Sequence, residues 1–193
     1  MPSAAKHRLV AETRRLARLV ALLDVHDLDD DTVETITKAV GVAADAVADL
    51  PALPGLAGAG PDAALDERSP FSGRSNPLAP PMTIVPGEVT TATATWTDEY
   101  EGPKDTLHGG FVAAAFDDLL GVAQMASGTA GFTGTLTVKM RRPTPLNTLV
   151  EYEAGVKEQR GRKIVCWGKA HAGGELVAEA ECLFVTPRDR PVG

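Results

Sequence analysis

Residues 107–126, LHGGFVAAAFDDLLGVAQMA, hold the groups best suited to chemistry in this chain: His108, the pair Gly109 and Gly110, and the adjacent carboxylates Asp117 and Asp118. The pattern predicts a helix opened by the His-Gly-Gly turn. The first N–H groups of a helix have no partner inside it and carry partial positive charge, and glycine lets a ligand oxygen approach them closely. An N–H so placed can stabilise a developing oxyanion, and a carboxylate can activate water. Asp117 follows Gly109 by eight residues. That is about 12 Å along a helix, too far for one hydrogen bond to link the two groups. The spacing suits a site completed by a second copy of the helix running antiparallel, each N-terminus facing the other's aspartate. The plainer alternative is that the glycines only allow tight packing at a turn, with Asp117 a buried carboxylate satisfied by a neighbouring amide.

The element that positions these groups reads as a core helix. Val112, Phe116, Leu119, Leu120 and Val122 fall at mixed spacings of three and four with alanines between. No broad polar face is left, which predicts a helix wrapped on most sides. An unpaired carboxylate there costs several kcal/mol, in order of magnitude, so at least one aspartate needs a reason to be present. Asp118 points about 100° round the helix from Asp117 and reads as a structural or interface carboxylate.

The chain of 193 residues has room for one domain and an appendage. Its 26 acidic and 19 basic residues give a net charge of -7, which excludes a general affinity for nucleic acid or anionic membranes. An anionic ligand must therefore be met by a local basic cluster. No apolar run approaches the roughly 20 residues that span a bilayer, and the N-terminus lacks signal-peptide order, so a cytoplasmic protein is expected. Cys166 and Cys182 lie in apolar, strand-like runs without metal-type spacing. Both read as reduced core residues, and no metal is expected.

In chain order, residues 1–50 predict a helical hairpin. Leu9, Leu16, Leu19, Val20 and Leu23 form one apolar stripe, with Arg8, Arg14, Arg15 and Arg18 elsewhere; Val33, Ile36, Val40, Val47 and Leu50 form a second. Two helices bury too little to stand alone, so the hairpin should dock on the main domain or on a partner's copy. Its second helix is acidic, which argues against a DNA-reading helix-turn-helix. Residues 51–69 begin with an Ala, Gly and Pro-rich linker, and the proline-rich stretch after it cannot be a central strand. Strands are expected over 82–85, 88–97, 132–142, 147–158, 162–171 and 175–186. In the second, Thr90, Ala92, Ala94 and Trp96 share one face. Six strands joined mostly by tight turns, with one long helix inserted after the second, predict an α+β fold: an antiparallel β-sheet wrapped round a central helix, behind an N-terminal helical hairpin. Residues 188–193 form a short tail.

The strand hairpin, the LHGG helix with an acid nine residues after the His, and the strand TGTLTVKMRRPTPL resemble the PaaI-type hotdog-fold acyl-CoA thioesterases. The GRK at 161–163 and the terminal ECLFV draw the resemblance toward the branch that includes human thioesterase superfamily member 4. It covers about residues 70–187 and leaves the N-terminal helices outside. The resemblance implies a homodimer, possibly pairing into a tetramer, with two antiparallel helices beneath a continuous sheet and two sites at the interface. It implies that Asp117 is the catalytic carboxylate, that Gly109 donates its N–H to the thioester oxygen, and that Thr133 holds the nucleophilic water. It makes His108 a residue that sets the turn. Many relatives carry Asn or Gln six or seven residues before the His, where this chain has Gly102 and Glu101. The missing polar group could come from Asn76 or Ser75.

Thioesters are already electrophilic, so a carboxylate that activates water or attacks directly, with an oxyanion donor, suffices without a metal or a triad. Coenzyme A enters as part of the substrate, and no separate cofactor is expected. Its phosphates would meet Lys139, Arg141 and Arg142, or Arg160, Arg162 and Lys163. Gly110 belongs to the same binding turn, and the acyl chain would run along Phe111 and Ala115. Two other functions compete: a hotdog hydratase or dehydratase using His108, and a non-catalytic acyl-CoA sensor whose hairpin binds a partner.

Overall fold

The computed structural model describes residues 3–23, 26, 28–51, 67 and 69–188. Most of the expected linker over 51–69, and the end of the expected tail, lie outside these residues. Six strands form one antiparallel sheet: β1 (Met82–Val85), β2 (Thr90–Thr95), β3 (Phe132–Met140), β4 (Leu149–Arg160), β5 (Lys163–Ala172) and β6 (Glu175–Val185), in the order β1-β2-β4-β5-β6-β3. Among the described residues three α-helices accompany it: α1 (Ala4–Ala21), α2 (Asp30–Ala48) and α3 (Gly109–Ala126). The α+β architecture is the expected one.

The alternation that predicts β2 is the one observed. Thr90, Ala92, Ala94 and then Trp96 are buried against α3, while Thr91, Thr93 and Thr95 face outward. Trp96 buries its indole fully, and its Nε1 donates to the Tyr152 hydroxyl at 2.9 Å, which satisfies the polar tip of each ring. Strand ends move by a few residues for local reasons. β3 stops at Met140 before Pro143, and β4 starts only at Leu149 because Asn147 takes a positive φ of 55° in the turn before it.

One face of α3 packs into the sheet. Phe116, Leu119 and Leu120 are fully buried there, each contributing about 1.5–3 kcal/mol relative to exposure. Gly168 on β5 leaves the space that Phe116 fills, since a Cβ at that glycine would stand 3.1 Å from the Phe116 ring. The opposite face is open. Ala113, Ala114, Gly121 and Val122 are half-buried and Asp117 is exposed, so this chain does not wrap the helix on most sides as its composition suggests. Alanine and glycine are compatible with either side of a helix, and periodicity alone cannot tell a core face from one awaiting a neighbour.

The N-terminal helices form where expected, capped by Ser3 and Asp29. α1 docks on the body through the face opposite its apolar stripe. Val10 is its buried residue, the Arg14 guanidinium donates to the carbonyls of Gly73 and Asn76 at 2.7 Å each, and Arg18 pairs with Glu99 at 3.5 Å. The stripe residues Leu9, Leu16, Leu19 and Val20 stay exposed. Backbone carbonyls left over in an irregular proline-rich segment are strong acceptors, and arginine satisfies them where leucine cannot. α2 buries none of its residues. Among the described residues no helix is long and apolar enough to cross a membrane.

Candidate active site

The turn before α3 leaves one amide unoccupied. His108 is the N-cap: its backbone oxygen accepts from Phe111 N–H at 2.9 Å and Val112 N–H at 3.3 Å, and its ring Nδ1 accepts from Gly110 N–H at 3.0 Å. Nδ1 of the ring is therefore placed as an acceptor for this amide. Of the first-turn donors, the Gly109 N–H has no partner among the described residues. Gly110 thus spends its N–H on His108 and cannot offer it to a ligand, which narrows the expected binding turn to Gly109. His108 thus caps the turn with both its backbone oxygen and its ring.

Gly109 faces a cavity of about 390 Å³ that also touches Met140, Arg141, Arg142 and Thr144. A Cβ at position 109 would stand 3.0 Å from Met140 Cε, so a side chain from the far end of β3 packs against this turn. No local signal in the sequence marks Met140 for this place. Position 102 is closed to the polar residue that many relatives of the resembled family carry, because a Cβ at Gly102 would lie 2.7 Å from His108 Cα. The neighbouring Glu101 turns its carboxylate to the Asp105 N–H at 2.6 Å.

Two turns down α3, the Thr133 hydroxyl donates to Asp117 Oδ1 at 3.0 Å. A bulge makes this bond possible. Thr133 pairs with Phe184 and Leu136 with Cys182, both partners being buried on the α3 side, and the register shifts between Thr133 and Thr135 at Gly134. Strict alternation would put Thr133 on the outer face with Thr135 and Thr137; the extra residue turns it inward. Gly134 is the position sequence reasoning overlooked, although a glycine inside a strand pattern is the usual mark of a bulge.

Asp118 is the aspartate that is more deeply buried. Its Oδ1 accepts from the Ser69 hydroxyl at 3.2 Å, and its Oδ2 is buried without a hydrogen-bond partner. Burial pushes its carboxyl above the ordinary aspartate value, against the opposing hydroxyls of Ser72 and Ser69. It is thus the structural carboxylate expected, anchored to the proline-rich segment.

Other anticipated residues are placed elsewhere. The Asn76 amide donates to Ser69 O and its Oδ1 accepts from Leu78 N–H, while Ser75 bonds Glu67, so neither fills the gap left at position 102. Ala115 is fully buried under the sheet and Phe111 packs on Tyr100 at 4.8 Å and Trp96 at 6.0 Å. The acyl path expected along these two is closed, and the open face of α3 runs over Ala113, Ala114 and Gly121 instead. Both cysteines are free and buried, and burial raises Cys166 to about 11 and Cys182 to about 12, so neither is a nucleophile.

The basic residues divide between the two ends of the sheet. Arg141 and Arg142 lie beside Gly109, pairing with Glu179 and Glu175. Lys139 turns to the outer face with Trp167 and Lys169. Arg162 donates to Thr186 O at 3.0 Å, and Lys163 opposes Val185, the residue that also opposes Phe132 next to Thr133. That turn, where Arg160 pairs with Glu158 at 3.1 Å, therefore sits at the Asp117 end.

A long helix cradled in a six-stranded antiparallel sheet is a hotdog fold. The chain superposes over 95% of its length on 96% of a solved thioesterase superfamily protein, with a TM-score of 0.82 and 29% identity. The Escherichia coli PaaI protein of the phenylacetic acid degradation operon matches 54% of this chain over 82% of its own, at TM-score 0.52 and 18% identity. A hypothetical thioesterase of Streptococcus pneumoniae solved with coenzyme A matches 54% over 88%, at TM-score 0.51 and 17% identity. In sequence, the acyl-coenzyme A thioesterase THEM4 of Xenopus laevis is 32% identical over 87 residues, 44% of this chain, and the match spans 39% of that relative's length. No protein-family model matches the chain.

Proposed function

We propose that the protein is an acyl-CoA thioesterase, hydrolysing a fatty or related acyl-CoA to the free acid and CoA. The observation that carries the reading is the pairing of an unoccupied Gly109 N–H with an Asp117 carboxylate held by Thr133, on one open helix face. Thr133 occupies Oδ1 and leaves the second oxygen to take a proton from water. The hydroxide so formed attacks the thioester carbon, and the Gly109 N–H, at the positive end of α3, stabilises the oxygen as it becomes negative. The C–S bond then breaks, the CoA sulfur leaves as thiolate, and the proton on Asp117 returns to it. Direct attack by Asp117 through an anhydride uses the same groups. The similarity to an acyl-coenzyme A thioesterase supports the substrate class.

Asp117 and Gly109 of one chain are about 12 Å apart, so the reading requires two protomers. Three features support a homodimer. β3 is an edge strand exposed along most of its length, the kind of edge that another chain completes. The open face of α3 is small and apolar around Asp117. Met140 lies seven residues along β3 from Thr133, about 23 Å, so an antiparallel partner brings its Arg141 and Arg142 toward the first chain's Arg162 and Lys163. These cations then meet the phosphates of one CoA.

Thiol release from a panel of short, medium, long and aromatic acyl-CoAs tests the reading. The wild-type protein turns over at least one class, and Asp117→Asn lowers kcat by about a thousandfold, within the range for losing a general base. Full turnover by the variant would overturn the assignment.

A further inference from the structure

α1 supplies none of the reacting groups, yet one of its arginines grips the segment that leads into them. Val10, Arg14 and Arg18 recur every fourth residue and so share one helix face. Val10 is buried there, Arg14 donates to two carbonyls of the proline-rich segment, and Arg18 Nε stands 3.5 Å from Glu99 Oε2. Glu99 belongs to a short 3-10 turn (Asp98–Tyr100), and its side chain is only 14% exposed. A carboxylate so enclosed has lost most of its water, and a guanidinium at that distance offsets the loss. The next residue transmits the grip. Tyr100 O accepts from the His108 N–H at 2.9 Å, and the Tyr100 ring meets the Phe111 ring edge-on with centroids 4.8 Å apart. His108 and Phe111 flank the glycine pair, so Tyr100 holds both sides of the turn that presents the Gly109 N–H. The main domain holds the short turn at its first residue, where the Asn147 side-chain amide donates to Asp98 Oδ1 at 2.7 Å. α1 holds it at the second.

Resting on the thioesterase reading, we propose that Arg18 is a positioning residue: acting through Glu99 and Tyr100, it fixes the direction in which the Gly109 amide points at the developing oxyanion. α1 then serves the reaction although it touches no reacting atom. An amide aimed at charge that develops only in the transition state raises kcat and leaves KM alone. A misplacement of about 1 Å can cost about a hundredfold in rate. Arg18 acts at two residues' remove, with Asn147 still holding the turn, so its loss costs less, about tenfold.

The test measures kcat and KM for acyl-CoA hydrolysis, and hydrogen exchange at the His108 amide by NMR, in the full chain and its Arg18→Ala and Arg18→Lys variants. Arg18 is half-exposed, so neither variant opens a hole in the core. Arg18→Ala lowers kcat about tenfold at unchanged KM and speeds exchange at His108 by a similar factor. Arg18→Lys keeps a cation for Glu99 and restores most of both. Wild-type kcat or wild-type exchange at His108 in the alanine variant is what a role limited to docking α1 predicts, and either result overturns the proposal. A loss carried by KM, or a lysine variant no better than alanine, overturns it as well. If the wild-type protein hydrolyses no acyl-CoA the thioesterase reading fails, and the exchange rates still decide whether Arg18 holds the turn.

Discussion

Thr133 touches Asp117 through a single hydroxyl, and the account assigns that hydroxyl the task of fixing the carboxylate for attack. Thr133→Ala should lower kcat by about ten- to a hundredfold with KM little changed, while Thr133→Ser restores most of the rate, as expected for a group that orients a base. Equal rates for all three proteins in a thiol-release assay would contradict that role. The adjacent carboxylates show how neighbours in sequence separate in environment. Asp117 stands on the open face, and Asp118 turns toward Ser69, where burial raises its carboxyl. The His-Gly-Gly turn and the acid nine residues on were readable directly, because each is a local pattern. The exchange in which His108 occupies Gly110 and leaves Gly109 free was not, since it depends on a ring orientation that no spacing encodes.

At the scale of elements, the six antiparallel strands and the helix inserted after the second follow from alternation and periodicity and were legible, whereas the strand order and the single buried face of α3 were not. The bulge at Gly134 was not given its weight, though it alone brings Thr133 to the helix side. The face by which α1 docks was not legible for a different reason: its contacts are largely polar, made to carbonyls of an irregular segment that pattern analysis cannot place. That segment also carries a pH-dependent contact. The Ser75 hydroxyl and the His7 ring hold the Glu67 carboxyl down to about 2, from an ordinary value of 4.5. A depressed carboxylate contributes stability that is complete above its unfolded value and is lost as pH falls through the folded one. Glu67 should therefore support the docking of α1 at neutral pH, lose that contribution between about 4.5 and 2, and titrate near 2 in a carboxyl NMR experiment. Titration at 4.5 would show the contact absent, and Glu67→Gln should remove this part of the acid response.

For the whole molecule, the single chain presents half of each proposed site. In the proposed reading, the exposed β3 edge, the uncovered face of α3 and the basic residues split between two ends of the sheet are the features that a second copy would complete. Composition could not reveal this, because a helix face of alanine and glycine reads the same whether its neighbour belongs to the same chain or another. Gly109 allows the matter to be decided. It is the first helical residue, where proline is tolerated, and His108 before it has φ -60° and ψ 132°, which proline accepts. Gly109→Pro thus removes the N–H while sparing the helix. Asp117→Ala and Gly109→Pro proteins, each inactive alone, are unfolded together, refolded as a mixture and assayed for acyl-CoA hydrolysis. A site shared between protomers restores about a quarter of wild-type activity, because half of the randomly formed dimers then hold one intact site of two. If the mixture stays as inactive as its components, the catalytic carboxylate and the oxyanion amide do not come from different chains, and the account is wrong.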